Sequence, residues 1–315
     1  MAKKVVISCA VTGSIHTPSL SPNFPATPDQ IIQQAVDAYK AGAAVLHIHA
    51  RNQEGKPVGD FETFGYILSN IKKQCPEAVI GITTGGANGM STEERFSIIE
   101  YFKPEMASAN AGSMNFSYHK LLDDVKEVRY DWEKEYVTRT YDNVFKNTFK
   151  DIEYCIRTMN ASGTLPEYEV FDLGQLNNLA YFKKEGLLPD PIYIQFVPGV
   201  LGGYPASNEN IMYMIDQAKK LLGNNIQYST VAPGRRMFRL ATFMALQTPI
   251  VISIMLIRVG MEDGLYLKPN GELAKDCAAQ VTKIKNILES LDYEIACPDE
   301  AREMLNLKGA DKVSF

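Results

Sequence analysis

The chain is poor in the residues that announce the commonest kinds of site. It has four histidines, one tryptophan and five cysteines in 315 residues. The cysteines (Cys9, Cys75, Cys155, Cys277 and Cys297) are scattered, odd in number and form no C-x-x-C pair. That spacing excludes a thiolate metal cluster and a disulfide framework, and it fits a reducing compartment. There is no excess of positive charge: the formal net charge is -5 and the pI is near 5.5. A chain so balanced lacks the footprint of a nucleic-acid binder. Long apolar runs are missing as well. Residues 5–7 are too short a stretch for a secretory signal, and the apolar run 251–257 stops at Arg258, far below the length of a membrane span. A cytoplasmic protein is therefore expected. The glycine cluster Gly199-Val200-Leu201-Gly202-Gly203 is not the G-x-G-x-x-G that opens a helix in dinucleotide-binding folds, and no internal repeat or low-complexity segment is present.

What the chain does have is alternation. Short apolar runs read as strands at 4–10, 43–49, 78–84, 106–110, 168–172, 192–197, 226–231 and 250–259. Helical patterns lie at 28–41, 61–74, 92–102, 144–159, 175–185, 208–222, 236–245 and 273–291. Thr27 before Pro28 and Ser91 before Thr92-Glu93-Glu94 are good helix starts. Eight strand–helix units imply a parallel sheet, and eight units close a TIM (β/α)8 barrel; an open doubly wound sheet is the alternative. One catalytic domain over 1–315 is expected. The charged, tyrosine-rich stretch 128–147 would be an insertion, either a helix over the barrel or a contact to another subunit.

Two of the four histidines fall in Val45-Leu46-His47-Ile48-His49-Ala50-Arg51. Residues two apart on a strand share a face, so His47 and His49 project together and could hold one metal ion. Two core histidines bonded to neighbours are the plainer alternative. A barrel carries its chemistry at the C-terminal ends of its strands. There the sequence offers Thr83-Thr84-Gly85-Gly86, Ser108 and Asn110, Glu169, Gln195 and Arg258-Val259-Gly260-Met261-Glu262-Asp263. Glu262 is the candidate third ligand. Two imidazoles and a carboxylate make an open zinc site, although a Glu-Asp pair at a strand end is also a common solvated loop. A binuclear hydrolase centre would need histidines after His119, and there are none.

Six motifs occur in order: Ala10-Val11-Thr12-Gly13, Leu46–Arg51, Thr83–Gly86, Pro104–Ser113, Pro166–Val170 and Arg258–Asp263. Together they resemble the β-keto acid cleavage enzymes, over nearly the whole chain. The resemblance implies a zinc-dependent, usually tetrameric TIM barrel. Such an enzyme converts a β-keto acid and acetyl-CoA into acetoacetate and the CoA ester of the remaining acyl chain. It implies His47, His49 and Glu262 as zinc ligands, Asp263 as the acid/base and Arg258 as its support. Thr83, Ser108 and Glu169, with Asn110, fall at substrate-contacting positions. Family members that act on an amine-bearing substrate carry a glutamate two residues after Thr-Gly; here that position is Ile15. An unpaired ammonium in a pocket is costly, so a tail without positive charge is expected. His16 would touch the tail or cap a loop, and Gly264 replaces an asparagine common among relatives. Two rival readings share these residues. One is another zinc barrel lyase, aldolase or hydrolase without acetyl-CoA; the other is a non-catalytic acyl-ligand-binding protein.

Overall fold

The computed structural model describes residues 3–86, 89–231, 233–251 and 256–315, with backbone alone at 248–251. Eight strands run β1 (Lys4–Ala10), β2 (Val45–Ile48), β3 (Val79–Ile82), β4 (Met106–Asn110), β5 (Leu165–Val170), β6 (Ile192–Phe196), β7 (Ile226–Thr230) and β8 (Leu256–Val259). They follow one another in a single parallel sheet, and β8 pairs with β1, so that the sheet curls into a TIM-type α/β barrel. At the seam β7 and β8 pass within 8 Å at Cα, and among the described residues no ladder joins them.

The helices are α1 (Pro28–Ala41), α2 (Phe61–Gln74), α3 (Thr92–Phe102), α4 (Trp132–Thr138), α5 (Phe149–Ser162), α6 (Leu173–Lys184), α7 (Asn208–Leu222), α8 (Met237–Val251), α9 (Cys277–Glu289) and α10 (Pro298–Leu305). Local chemistry explains their starts. Thr27 and Gln30 form a capping box before α1, Ser91 and Glu94 one before α3, and Thr148 and Asp151 one before α5.

Strand alternation sorts the barrel into shells. Outward residues such as Ile7, Leu46, Ile80, Ala107, Ile194 and Ile257 share a core with the helices. Inward residues stack in layers. The lowest is apolar (Val6, Val45, Val79, Met106, Tyr193 and Leu256) and is sealed by Ala301 and Leu305 of α10. Above it the strands, with β5 and β7 now contributing, present Ser8, His47, Ser108, Glu167, Gln195, Ser229 and Arg258, all buried. The polar interior is thus one step up each strand from an apolar floor.

Several boundaries differ from expectation. The run 250–259 does not form one strand: 250–251 end α8, 252–255 lie outside the described residues, and β8 begins at Leu256. A short run without polar breaks suits helix and strand equally, so periodicity could not place the boundary. The helix expected from 144 begins at Phe149, because Val144–Phe145 instead pair antiparallel with Met114–Asn115. The strand at Glu294–Ile295, paired with Lys4 and Val5, and α10 were not expected. Within 128–147, α4 lies over the barrel mouth: Tyr136 donates to the Ser14 carbonyl at 2.8 Å, and the indole of Trp132 donates to Glu54 at 3.1 Å.

Candidate active site

His47 closes β2 one residue before its end, and His49 follows the strand; both are buried, with ring centroids 5.3 Å apart. Glu262 arrives from the loop after β8. Its carboxylate stands 3.2 Å from His49 Nε2 and 3.7 Å from His47 Nε2, and one ligand atom from each of the three residues falls within 4.8 Å of the others. Two glycines make this approach possible. A Cβ on Gly13 would overlap the Glu262 side chain, and one on Gly260 would overlap the Ala10 backbone, where φ is +146°.

The guanidinium of Arg258 organises the acids around it. Nε and Nη2 form a two-pronged pair with Asp263, each at 2.9 Å, and Nη2 also lies 2.9 Å from Glu262. Nη1 donates to Gln195 Oε1 at 3.1 Å, and Glu169 stands 4.0 Å away. Gln195 turns its amide nitrogen to Glu167 at 2.7 Å and to Ser229 at 3.2 Å. Burial dominates the titration of these groups. It pushes Glu169 up to about 8 and Glu167 to about 7 despite Arg258, and it pushes Asp263 to about 6 with help from Glu262. Glu262 goes the other way: burial opposes its charge, but Arg258, His49 and His47 hold its carboxyl far below the usual range. Burial lowers His47 to about 3, so its ring is neutral at neutral pH.

Unsatisfied atoms mark the donor set as a place for a metal ion. His49 Nε2 and Glu262 Oε2 are buried without a hydrogen bond among the described residues, although such atoms are nearly always satisfied. A neutral imidazole, a second imidazole and an ionised carboxylate with two orphaned atoms between them fit a divalent cation.

His49 and Glu262 reach the floor of a cavity of about 820 Å³, counting its open mouth, with His47 buried behind them. Thr83, Asn110, Glu169, Arg258 and Asp263 reach it, and both amide atoms of Asn110 lack hydrogen-bond partners among the described residues. Its walls are apolar: Ile15, Phe116, Phe145, Phe171, Val197 and Val231 among them. Ser108 does not line it. Its hydroxyl accepts from the Thr84 amide at 3.1 Å, binding β4 to the loop after β3. His16 also turns away, its Nδ1 2.9 Å from the Met261 carbonyl, so it tethers two loops rather than facing the cavity. Gly264 has a packing reason: a Cβ there would stand 2.8 Å from the Gly234 carbonyl. Arg51 has a role that sequence reasoning missed. Its buried guanidinium donates to Thr12 Oγ1 at 3.0 Å and to the carbonyls of Gly13, Gly55 and His16, shaping the loop that carries Ile15. An arginine straight after two apolar-flanked histidines was the available signal.

A family model described as beta-keto acid cleavage enzyme matches residues 4–307. The chain belongs to the β-keto acid cleavage enzyme family. A 3,5-dioxohexanoate:acetyl-CoA acetone transferase from Paraburkholderia graminis is 45% identical over 99% of both chains. The 3-keto-5-aminohexanoate cleavage enzyme of Acetoanaerobium sticklandii is 32% identical over 97% of this chain and 99% of its own. Among solved structures, apo ObcA superposes with a TM-score of 0.67 at 20% identity. That match covers 91% of this chain and 66% of ObcA, and it bears on the fold alone. Membership makes this cleavage enzyme an acyltransferase acting on β-keto acids, as the ordered motifs implied. No described helix is long and apolar enough to cross a membrane.

Proposed function

We propose that this family member is a zinc-dependent enzyme that exchanges acyl groups between a β-keto acid and acetyl-CoA. The observation that carries the reading is the buried meeting of His47, His49 and Glu262 beside the Arg258–Asp263 pair, on the floor of a cavity with apolar walls. A zinc ion held by the two histidines and Glu262 would supply Lewis acidity at the keto oxygen. Asp263, ionised above about 6, takes a proton from the carbon between the keto and carboxylate groups. Arg258 holds that carboxylate by two donors, which fixes its orientation as well as its charge. Glu169, neutral at pH 7, joins Thr83 and Asn110 as a hydrogen-bond donor to substrate oxygens. In the net exchange the carbon of the proton donor joins the acetyl group, and its bond to the old keto carbon breaks. The CoA sulfur passes to that keto carbon, leaving acetoacetate and a new acyl-CoA. Ser108 acts at one remove, by holding the Thr83-Thr84 loop.

The substrate tail is uncharged and fits among Ile15 and the aromatic wall. The P. graminis relative is named for a substrate with a second keto group, which is such a tail. The readings without acetyl-CoA leave this apolar wall and the retained acid/base pair less well explained. One catalytic domain with 128–147 as its mouth insertion, and a homotetramer, complete the reading. Incubation with acetyl-CoA and a panel of β-keto acids, followed by mass spectrometry, should give acyl-CoA from uncharged tails. Ile15→Glu should shift preference toward 3-keto-5-aminohexanoate; a native preference for that cationic substrate would contradict the assignment of Ile15.

A further inference from the structure

Acetyl-CoA presents its thioester at one end of a flexible, uncharged arm and its phosphates at the other. An enzyme that uses it needs an anion-binding place outside the reaction cavity. A second, open cavity of about 770 Å³, counting its mouth, lies between α8, α9 and the loop after β8. Among the described residues four cations line it, Arg235, Arg239, Lys268 and Lys283, and no acidic residue does. In a chain of net charge -5 this is a local reversal of sign. Two of the cations are preset against rings: Arg235 lies 4.6 Å from the centre of Tyr266, and Lys283 lies 4.2 Å from that of Phe238. Lys268 pairs with Glu272 at 2.7 Å, whereas Arg235 and Arg239 have no ion pair among the described residues. Arg235 lies in the short turn 234–236 that leads into α8, Arg239 in the first turn of α8, and both reach this cavity.

The place of the cavity matters as much as its charge. Pro233 lines the reaction cavity and Arg235 the cationic one. Gly234 between them donates its amide to the Asp263 carbonyl at 2.6 Å. The wall between the two cavities is therefore this short rim, bonded to the residue assigned as acid/base. A linear ligand crossing the rim would have its reactive end over Asp263 and its distal end among the cations.

Resting on the acetyl-CoA reading above, we propose that the groove of Arg235, Arg239, Lys268 and Lys283 binds the phosphorylated nucleotide end of the CoA co-substrate. The test uses the full chain, with Arg235→Ala/Arg239→Ala, Lys283→Ala and the charge-keeping Arg235→Lys/Arg239→Lys. Each is assayed with acetyl-CoA and with an acetyl thioester of N-acetylcysteamine, which lacks the nucleotide. The ratio of kcat/KM for acetyl-CoA to that for the short thioester should fall about tenfold or more in the double alanine variant. It should fall less in the lysine variant, and the native ratio should shrink as salt is raised. An unchanged ratio in the double alanine variant overturns the proposal. Calorimetric titration with adenosine 3′,5′-bisphosphate separates this claim from the reaction itself, because it needs no turnover. Binding that is lost in the double alanine variant supports the groove even if no β-keto acid is cleaved. Binding no tighter than that of inorganic pyrophosphate, or undiminished in that variant, overturns it.

Discussion

At the scale of single residues, the burial of charge decides what each acid can do. Glu262 and Asp263 are neighbours on one loop and meet the same arginine, yet they are driven in opposite directions. Glu262 has two imidazoles on its far side, and Asp263 has, among the described residues, only the fork of Arg258. His49→Ala and Glu262→Gln should therefore lose bound metal, read by elemental analysis, together with activity. Asp263→Asn should keep the metal while kcat falls by about 10²–10⁴. Metal lost from Asp263→Asn would contradict the division of roles. Glu167 and Glu169 also make stability depend on pH. Their folded values, about 7 and about 8, lie above the ordinary carboxylate value of 4.5, so the native state holds protons that the unfolded chain releases. Stability from these groups is full below about 4.5 and is lost as pH rises through 7 to 8. The apoprotein's Tm should drop between pH 5.5 and 8.5, and Glu169→Gln should flatten that drop. His47 acts with the opposite sign: its lowered value costs stability as pH falls from 6.5 toward about 3. Such effects were invisible in the sequence, since they arise from layers of burial and not from residue type.

At the scale of elements, the site is where loops from distant parts of the chain are made to touch. Arg51 fastens the loop after β1, Tyr136 of α4 holds the same loop from above, and His16 ties it to the loop after β8. Gly13 then leaves the space that Glu262 occupies. Gly13→Ala should weaken metal affinity by roughly 10–100-fold, as loss of a supporting contact does. Its Tm should move far less than that of Gly260→Ala, where a Cβ meets backbone. Equal metal affinity in wild type and Gly13→Ala would refute the packing argument. Element-level reading of the sequence succeeded where a cap or a period carried it: α1, α2, α3 and α7 lie over the expected ranges. It failed at the long apolar run before Arg258, and at Val144–Phe145, whose pairing partner is thirty residues away in sequence. Ser108 lies in the middle of β4 and Asn110 at its end, and only contacts could show that the Ser108 hydroxyl faces Thr84.

At the scale of the whole molecule, eight consecutive parallel strands lift one polar layer above an apolar floor sealed by α10. Count and alternation of strands made that architecture legible from the sequence; the sealing helix was not, because a short C-terminal amphipathic segment has no fixed place in the barrel pattern. The same architecture sets the reaction cavity and the cationic groove on either side of one rim, an arrangement suited to a co-substrate with a reactive end and a charged end. The central claim is that carbon and sulfur are exchanged between two acyl partners. Acetyl-CoA labelled with carbon-13 in both acetyl carbons tests it most directly, with 3,5-dioxohexanoate as the partner and His49→Ala as the control. We expect both labelled carbons in free acetoacetate, an unlabelled acetoacetyl-CoA, and neither product from the control. Labelled acetate with unlabelled acetoacetate, or acetoacetate formed without acetyl-CoA, would contradict the account.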